Sequence, residues 1–227
     1  MTPSIERRHR TSAARARSRI ERGLHDPSDF RVALLNVLPA ERDAWLDLVF
    51  GLDEIPDDGP ELPNGCVPYV PSSVDALLRL IEQAPVRASD VFVDIGSGVG
   101  RAAALVHLLT GASGIGIEVQ PHLAVAARDL AARLLLSRIS CVVGDASKLA
   151  GSITIGTVFF LYCPFGGQRL TKVLTALEHI AQTRALRVCC LDLPLPTPPW
   201  LLPDPPLAGD LSIYRSSVVI DRGVRTG

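Results

Sequence analysis

Three glycines and a handful of acids hold the chemistry visible in this chain. Gly96, Gly98 and Gly100 follow Asp94 in the run Val91-Phe92-Val93-Asp94-Ile95-Gly96-Ser97-Gly98-Val99-Gly100. Glycine accepts positive φ without a Cβ penalty, so such a hairpin, with Ser97 inside it, can bring backbone close to a ligand. Arg101 to Thr110 is helix-prone and apolar, so the hairpin opens a helix whose N-terminal amides point at the same place. Glu118 ends the next apolar run, Ile115-Gly116-Ile117. Its distance from Asp94 is close to the roughly 20 residues at which a carboxylate after a second strand meets a ribose. Two further candidates, Gly144-Asp145-Ala146 and Tyr162-Cys163-Pro164-Phe165, follow later apolar runs. Together these residues predict a site for a nucleotide-like ligand.

The elements that must position them alternate. Strand-like runs cover 91–95, 114–118, 139–143, 157–162, 186–191 and 211–220, and helices are expected near 100–110, 121–136 and 167–183. That order predicts an α/β, doubly wound, mostly parallel sheet with helices on both faces. Ligands of such sheets sit at the carboxyl ends of the strands, where all four candidate segments fall. Between the last two strand runs, Pro194 to Pro206 contains seven prolines and predicts a rigid surface crossover.

Upstream, residues 1–23 hold seven arginines (Arg7, Arg8, Arg10, Arg15, Arg17, Arg19 and Arg22) and predict a flexible, frayed or partly helical solvated arm. A nucleic-acid or targeting arm is the alternative. Glu6 and Glu21 weaken targeting, and no aromatic residue lies among the arginines to stack on bases. Asp26-Pro27 reads as a cap with proline at the first helical position, ahead of Phe30, Leu34 and Val37 at helical spacing. A second short helix carries Trp45, Leu48 and Val49, and the pair is expected to cover the main domain or its mouth. A Pro/Asp/Gly-rich connector over 53–71 ends in Val67-Pro68-Tyr69-Val70-Pro71, and Ser72 or Ser73 then caps a helix to about Gln83. The expected division is an arm at 1–23, a helical extension with connector at 24–66, and a ligand-binding domain at 67–227.

Bulk properties bound the partners. With 227 residues, 47% apolar composition and mean hydropathy of +0.26, the chain can bury one full α/β core. A net charge of −1 gives no electrostatic case for nucleic acid or an anionic membrane. No run of about 18 apolar residues exists to span a bilayer, and no apolar signal segment opens the chain. Five cysteines without a C-x-x-C pair predict reduced thiols, no metal and a cytoplasmic protein. Cys163 has no histidine beside it in sequence, so burial is expected rather than nucleophilic chemistry. His107, His122 and His179 lie on expected helices and read as core or surface residues. Composition and pattern do not determine an oligomeric state.

The D-x-G-x-G-x-G hairpin, the acid after the second strand and the Gly-Asp-Ala after the third resemble class I S-adenosylmethionine-dependent methyltransferases over roughly residues 68–192. Phe92 to Arg101 and Gly114 to Glu118 are similar to the Dot1-like branch and its small bacterial relatives. The resemblance implies a seven-stranded Rossmann-like sheet and S-adenosyl-L-methionine as cofactor. It implies Glu118 on the ribose hydroxyls, and Asp145 with the Ala146 amide on the adenine. It further implies Asp94 under the methionine ammonium, and Gly96, Ser97, Gly98 and Gly100 against the methionyl and ribose parts. Tyr69 is expected to stack or hydrogen-bond as part of a lid. On the acceptor side, Tyr162 would orient or deprotonate a nucleophile and Phe165 would pack on substrate or sulfonium. The acceptor expected is a protein lysine or a small molecule.

One motif departs from the family. Amino methyltransferases carry Asn/Asp-Pro-Pro-Tyr/Phe after strand four, whereas this chain has Tyr162-Cys163-Pro164-Phe165 and so lacks the leading amine acceptor. A non-catalytic binding protein of the same fold is therefore the runner-up. A nicotinamide-dependent oxidoreductase would need G-x-G-x-x-G, and Arg101 stands where its third glycine belongs.

Overall fold

The computed structural model describes residues 3–52, 54, 56–59, 62–196, 198–204 and 209–217, with side chains from residue 9 onward. In chain order the elements are α1 (Pro3–Glu21), α2 (Pro27–Leu35), α3 (Arg42–Phe50), α4 (Val74–Gln83), β1 (Val91–Ile95), α5 (Arg101–Thr110), β2 (Ser113–Glu118) and α6 (Pro121–Arg133). There follow β3 (Ile139–Val143), α7 (Ala146–Leu149), β4 (Val158–Tyr162), α8 (Gly167–Ala181), β5 (Arg187–Leu191), β6 (Leu201–Pro203) and β7 (Leu211–Ser216). The strands form one sheet in the order β3-β2-β1-β4-β5-β7-β6. Five strands are parallel, while β7 runs antiparallel to both β5 and β6. The strand order reverses beside β1, so β1 and β4 flank the switch point at which such sheets bind ligands.

Period-two alternation sorts the sheet's side chains between two cores. Phe92 of β1 joins Val158 and Phe160 of β4, and Cys189 of β5, in a core shared with α1 to α6. Val93 and Ile95 join Phe159, Leu161, Val188 and Cys190 in the other, beneath α7 and α8. The adjacent thiols Cys189 and Cys190 thus belong to opposite faces, and burial pushes the Cys189 thiol up to about 12. All five cysteines are unpaired, three of them buried and two, Cys66 and Cys163, half-buried. Among the described residues no helix is long and apolar enough to cross a membrane.

Two expectations need correction. The arginine-rich arm is a helix with a buried face, not a solvated arm: Ala13 and Ile20 are buried, and the Trp45 indole donates to Ser12 Oγ at 2.8 Å. Arg17 donates to the carbonyls of Leu48 and Val49, satisfying acceptors that the end of α3 leaves open. The proline-rich crossover also contains a strand. Leu201–Pro203 pairs with β7 at the sheet edge, where a proline costs no ladder bond on its solvent side. The expected last strand, 211–220, is β7 to Ser216, and its final three residues lie outside the described residues. Asp26 caps α2 as expected, accepting from the amides of Ser28 and Asp29.

Candidate active site

The glycine hairpin is pinned to β2 by its own backbone. The amides of Gly96 and Ser97 both donate to the Ile117 carbonyl, at 2.9 and 3.2 Å. That bend aims the Gly98 amide at Glu118, whose Oε2 accepts it at 2.7 Å, while Oε1 accepts from the Gln120 amide at 2.8 Å. Glu118 is only 5% exposed, and burial pushes its carboxyl above the ordinary range against the pull of those amides. Asp94, 4% exposed at the end of β1, is pushed up to about 7, first by burial and then by the nearby Glu118 charge.

Each glycine serves a different neighbour. Gly96 (φ +81°) faces Pro164, whose Cβ would lie 2.6 Å from an added Cβ. Gly98 (φ +51°) is covered by the Tyr69 ring, which any Cβ would strike. Gly100 (φ +77°) lets α5 approach Ala127 of α6, and so serves helix packing rather than ligand approach. In β2 the absent Cβ of Gly116 makes room for Ser97, whose hydroxyl sits 3.6 Å from Cys141 Sγ.

The strand ends enclose a cavity of about 60 Å³ lined by Tyr69, Asp94, Gly96, Ser97, Glu118, Ala146, Tyr162 and Phe165, with Arg101 and Gln120 among their neighbours. Three expected site residues do not line it: Gly98 lies beneath Tyr69, Gly100 beneath α6, and Asp145 to one side. Asp145 caps α7, accepting from the Ser147 amide at 2.9 Å, and pairs with Arg169 at 2.6 Å. Burial opposes its charge, but the Ser147 and Arg169 donors outweigh that and hold its carboxyl below the usual range. Phe165 is 5% exposed and packs in the second core, so it forms a wall of the cavity. Tyr162 is half-buried, and burial first and then Asp192 push its phenol up. Cys163 is half-buried in the left-handed region at φ 38°.

A strap made of residues 57–59 and 62–72 borders the site. At one end His122 Nε2 lies 2.8 Å from the Asp57 carbonyl, and the Gln120 amide group donates to Asp58 at 2.6 Å. In the middle Arg169 donates to the Asn64 carbonyl at 3.1 Å, and the Val67 amide to the Pro164 carbonyl at 3.1 Å. The Tyr69 amide donates back to Asp58 at 3.0 Å. His122 is therefore a surface residue that holds the strap. His107 bonds the Ala112 carbonyl, and His179 the Thr175 carbonyl of its own helix.

A far larger groove, about 1190 Å³, lies between α1 and α2, lined by residues such as His9, His25, Phe30 and Val37. No part of the glycine hairpin or the strand ends reaches it, so size alone does not mark the chemistry here.

The residues that sequence reading missed are Arg101, Gln120 and Arg169. Arg101 offered a signal: it is a lone charge opening an otherwise apolar helix, and such a charge needs a partner if buried. It is 2% exposed. Its Nε donates to Asp47 at 2.7 Å, its Nη2 to Asp43 at 2.8 Å, and its Nη1 to the Ser72 carbonyl at 2.6 Å.

Comparison with known proteins covers the same half of the site. Residues 69–142, from Tyr69 through the hairpin and Glu118 into β3, match the family described as histone methylation protein DOT1. The chain is similar to an RNA methyltransferase from Salinibacter ruber, solved with S-adenosyl-L-homocysteine, at 28% identity and a TM-score of 0.55. That match covers 65% of this chain and 92% of the other. The Escherichia coli protein yhhF, a proposed methyltransferase, shares the fold at 20% identity and a TM-score of 0.51, over 68% of this chain and 88% of its own. A conserved protein of Streptococcus pyogenes does so at 15% identity and a TM-score of 0.51, over 61% and 93%. No curated protein matches the chain. With the glycine hairpin and Glu118 at the switch point of a sheet that ends in an antiparallel β7, the chain is similar in fold and in this half of the site to class I S-adenosylmethionine-dependent methyltransferases.

Proposed function

We propose that the rim binds S-adenosyl-L-methionine through Glu118, Asp94, Asp145 and the hairpin, and presents its methyl to a protein lysine or small-molecule acceptor beside Tyr162 and Phe165. The observation that carries this is the Glu118 carboxylate, buried and oriented by the Gly98 and Gln120 amides at the switch point. A carboxylate fixed in that way suits the paired hydroxyl donors of a ribose. Asp145 uses one oxygen for Ser147 and the other for Arg169, and a carboxylate has about four acceptor sites, so it retains capacity for an adenine amine. Asp94 accepts no hydrogen bond from the described residues and faces the cavity, where a cationic group would favour its ionised form.

The residues fit such a ligand in chemistry, and the space they line is about 60 Å³. Tyr69 covers Gly98, so a ligand that reaches the hairpin backbone there displaces its ring. When bound, the cofactor supplies a sulfonium methyl already activated for in-line displacement. What remains for the protein is alignment of the acceptor and exclusion of water. Phe165 and Pro164 wall the cavity, and the half-buried Tyr162 phenol, with its pKa raised, is suited to orienting an acceptor by hydrogen bonding rather than to removing its proton near neutral pH.

Calorimetric titration of the full chain with S-adenosylhomocysteine and with NAD tests the cofactor assignment. Binding of the first alone is expected; binding of NAD alone overturns it. Binding followed by turnover on an acceptor panel supports an enzyme, whereas binding without turnover on lysine peptides, amines, hydroxyls and carboxylates supports a non-catalytic binding protein.

A further inference from the structure

Arg101 joins three parts of the molecule that are far apart in sequence. It is the first residue of α5, directly after Gly100, and its side chain is 3% exposed. Two carboxylates of α3, Asp43 and Asp47, neutralise it at 2.8 and 2.7 Å. Asp43 Oδ1 also accepts the Val74 amide at 2.9 Å, meeting one of the donors that the start of α4 leaves open. Two further bonds of the guanidinium reach carbonyls, that of Asp43 at 3.2 Å and that of Ser72, and the latter fixes the downstream end of the strap. Three residues before Ser72 stands Tyr69, whose ring rests on Gly98. The Arg101 charge is felt at the Tyr69 phenol, where burial nonetheless dominates and drives the pKa up.

Resting on the cofactor assignment above, we infer that Arg101 is a positioning residue: clamped by Asp43 and Asp47 of the N-terminal helices, it sets the glycine hairpin and the Tyr69 end of the strap for cofactor binding. The physical reason is over-determination. A buried guanidinium is costly without its carboxylates, so Asp43 and Asp47 hold it where its remaining bonds, to the Asp43 and Ser72 carbonyls, can form. Its planar fork meets two carboxylates and two carbonyls at fixed angles, which a lysine cannot fully reproduce. Through it, α3 becomes part of the cofactor site without touching the cavity: Asp43 and Asp47 do not line it, whereas Arg101 does.

The test compares S-adenosylhomocysteine affinity with thermal stability for Arg101→Met, Arg101→Lys, Asp47→Asn and the Asp43→Asn/Asp47→Asn pair. Arg17→Met serves as control, because Arg17 holds the other end of α3 through the Leu48 and Val49 carbonyls. The expected result is that Arg101→Met and the double aspartate variant each lose about tenfold or more in affinity. Arg101→Lys should recover part of it, and Arg17→Met should lower the melting temperature while keeping affinity. If Arg101→Met does not fold, the aspartate variants decide. Unchanged affinity in the aspartate variants, or an equal loss in Arg17→Met, overturns the inference. A loss confined to the Arg101 variants also overturns it, since that would mark direct contact with the ligand. Wild-type protein that fails to bind S-adenosylhomocysteine would instead defeat the cofactor assignment itself.

Discussion

The rim of the sheet has two halves built on different principles. Around β1 to β3, Ser97, Gly98, Glu118 and Gln120 are buried and the hairpin is tied to them by backbone amides, with Gly96, Ser97, Gly98 and Gln120 all engaged in bonds of 2.7 to 3.2 Å. Around β4 and β5, the rim ends in Tyr162, Cys163 and the exposed Asp192, with Cys163 and Asp192 both in the left-handed region at φ 38° and 51°. The first half needs particular residue types because its geometry forbids others. The second places its side chains by the turns that carry them, with no such network of backbone amides around Tyr162 or Cys163 among the described residues. The family match, over 69–142, covers the first half and ends before Asp145 and Tyr162.

Substitutions can break the comparison, beginning with Glu118→Ala. It removes a charged acceptor and leaves the buried Gly98 and Gln120 amides without their partner. Affinity for S-adenosylhomocysteine should fall about 100-fold or more, as the loss of two charge-assisted bonds implies. Calorimetry showing affinity within a few-fold of wild type would contradict the ribose assignment. Gly96→Ala follows: it demands a positive φ of a residue with a Cβ and sets that Cβ 2.6 Å from Pro164. A stability loss of about 2–4 kcal/mol in denaturant unfolding is expected, and a neutral result would mean the hairpin and the β4 turn are not packed as described.

The pH dependence sharpens the same contrast. The folded-state pKa of Asp94, about 7, lies above its ordinary value of 3.8, so the folded protein holds more protons than the unfolded chain between them. Its contribution to stability is therefore full below about pH 4 and is lost as pH rises toward 7. A bound cation favours the ionised carboxylate, so cofactor affinity should rise with pH up to about 7 and then level off. Asp94→Asn should flatten that profile, and an unchanged slope would remove Asp94 from the site. At the small end, Arg19→Met breaks an exposed pair with Asp29, whose side chains are 45% and 64% exposed. Its effect on melting should correspond to less than about 1 kcal/mol; a larger loss would mean that α1 is held by its surface charges rather than by Ala13, Ile20 and Arg17.

What could be read from sequence follows from the range of each interaction. The hairpin and Glu118 were legible because φ +81° and +51° select glycine locally and a strand-ending acid repeats a known spacing. The Arg101 clamp was not, because its carboxylate partners lie 54 and 58 residues upstream and nothing in a helical pattern announces them. The same holds for Arg169, which reaches Asp145 from 24 residues downstream. Helix α1 reads as a solvated arm in sequence because its buried face includes small residues, Ala13 among them, and its arginines dominate the composition. The strand β6 was hidden by prolines that only an edge position tolerates.

A crystal structure of the chain with S-adenosylhomocysteine tests the central assignment most directly. It should place the ribose hydroxyls on Glu118, with Tyr69 displaced from Gly98 and the sulfur facing Tyr162. A ligand bound elsewhere, with Glu118 still held only by the Gly98 and Gln120 amides, would contradict it.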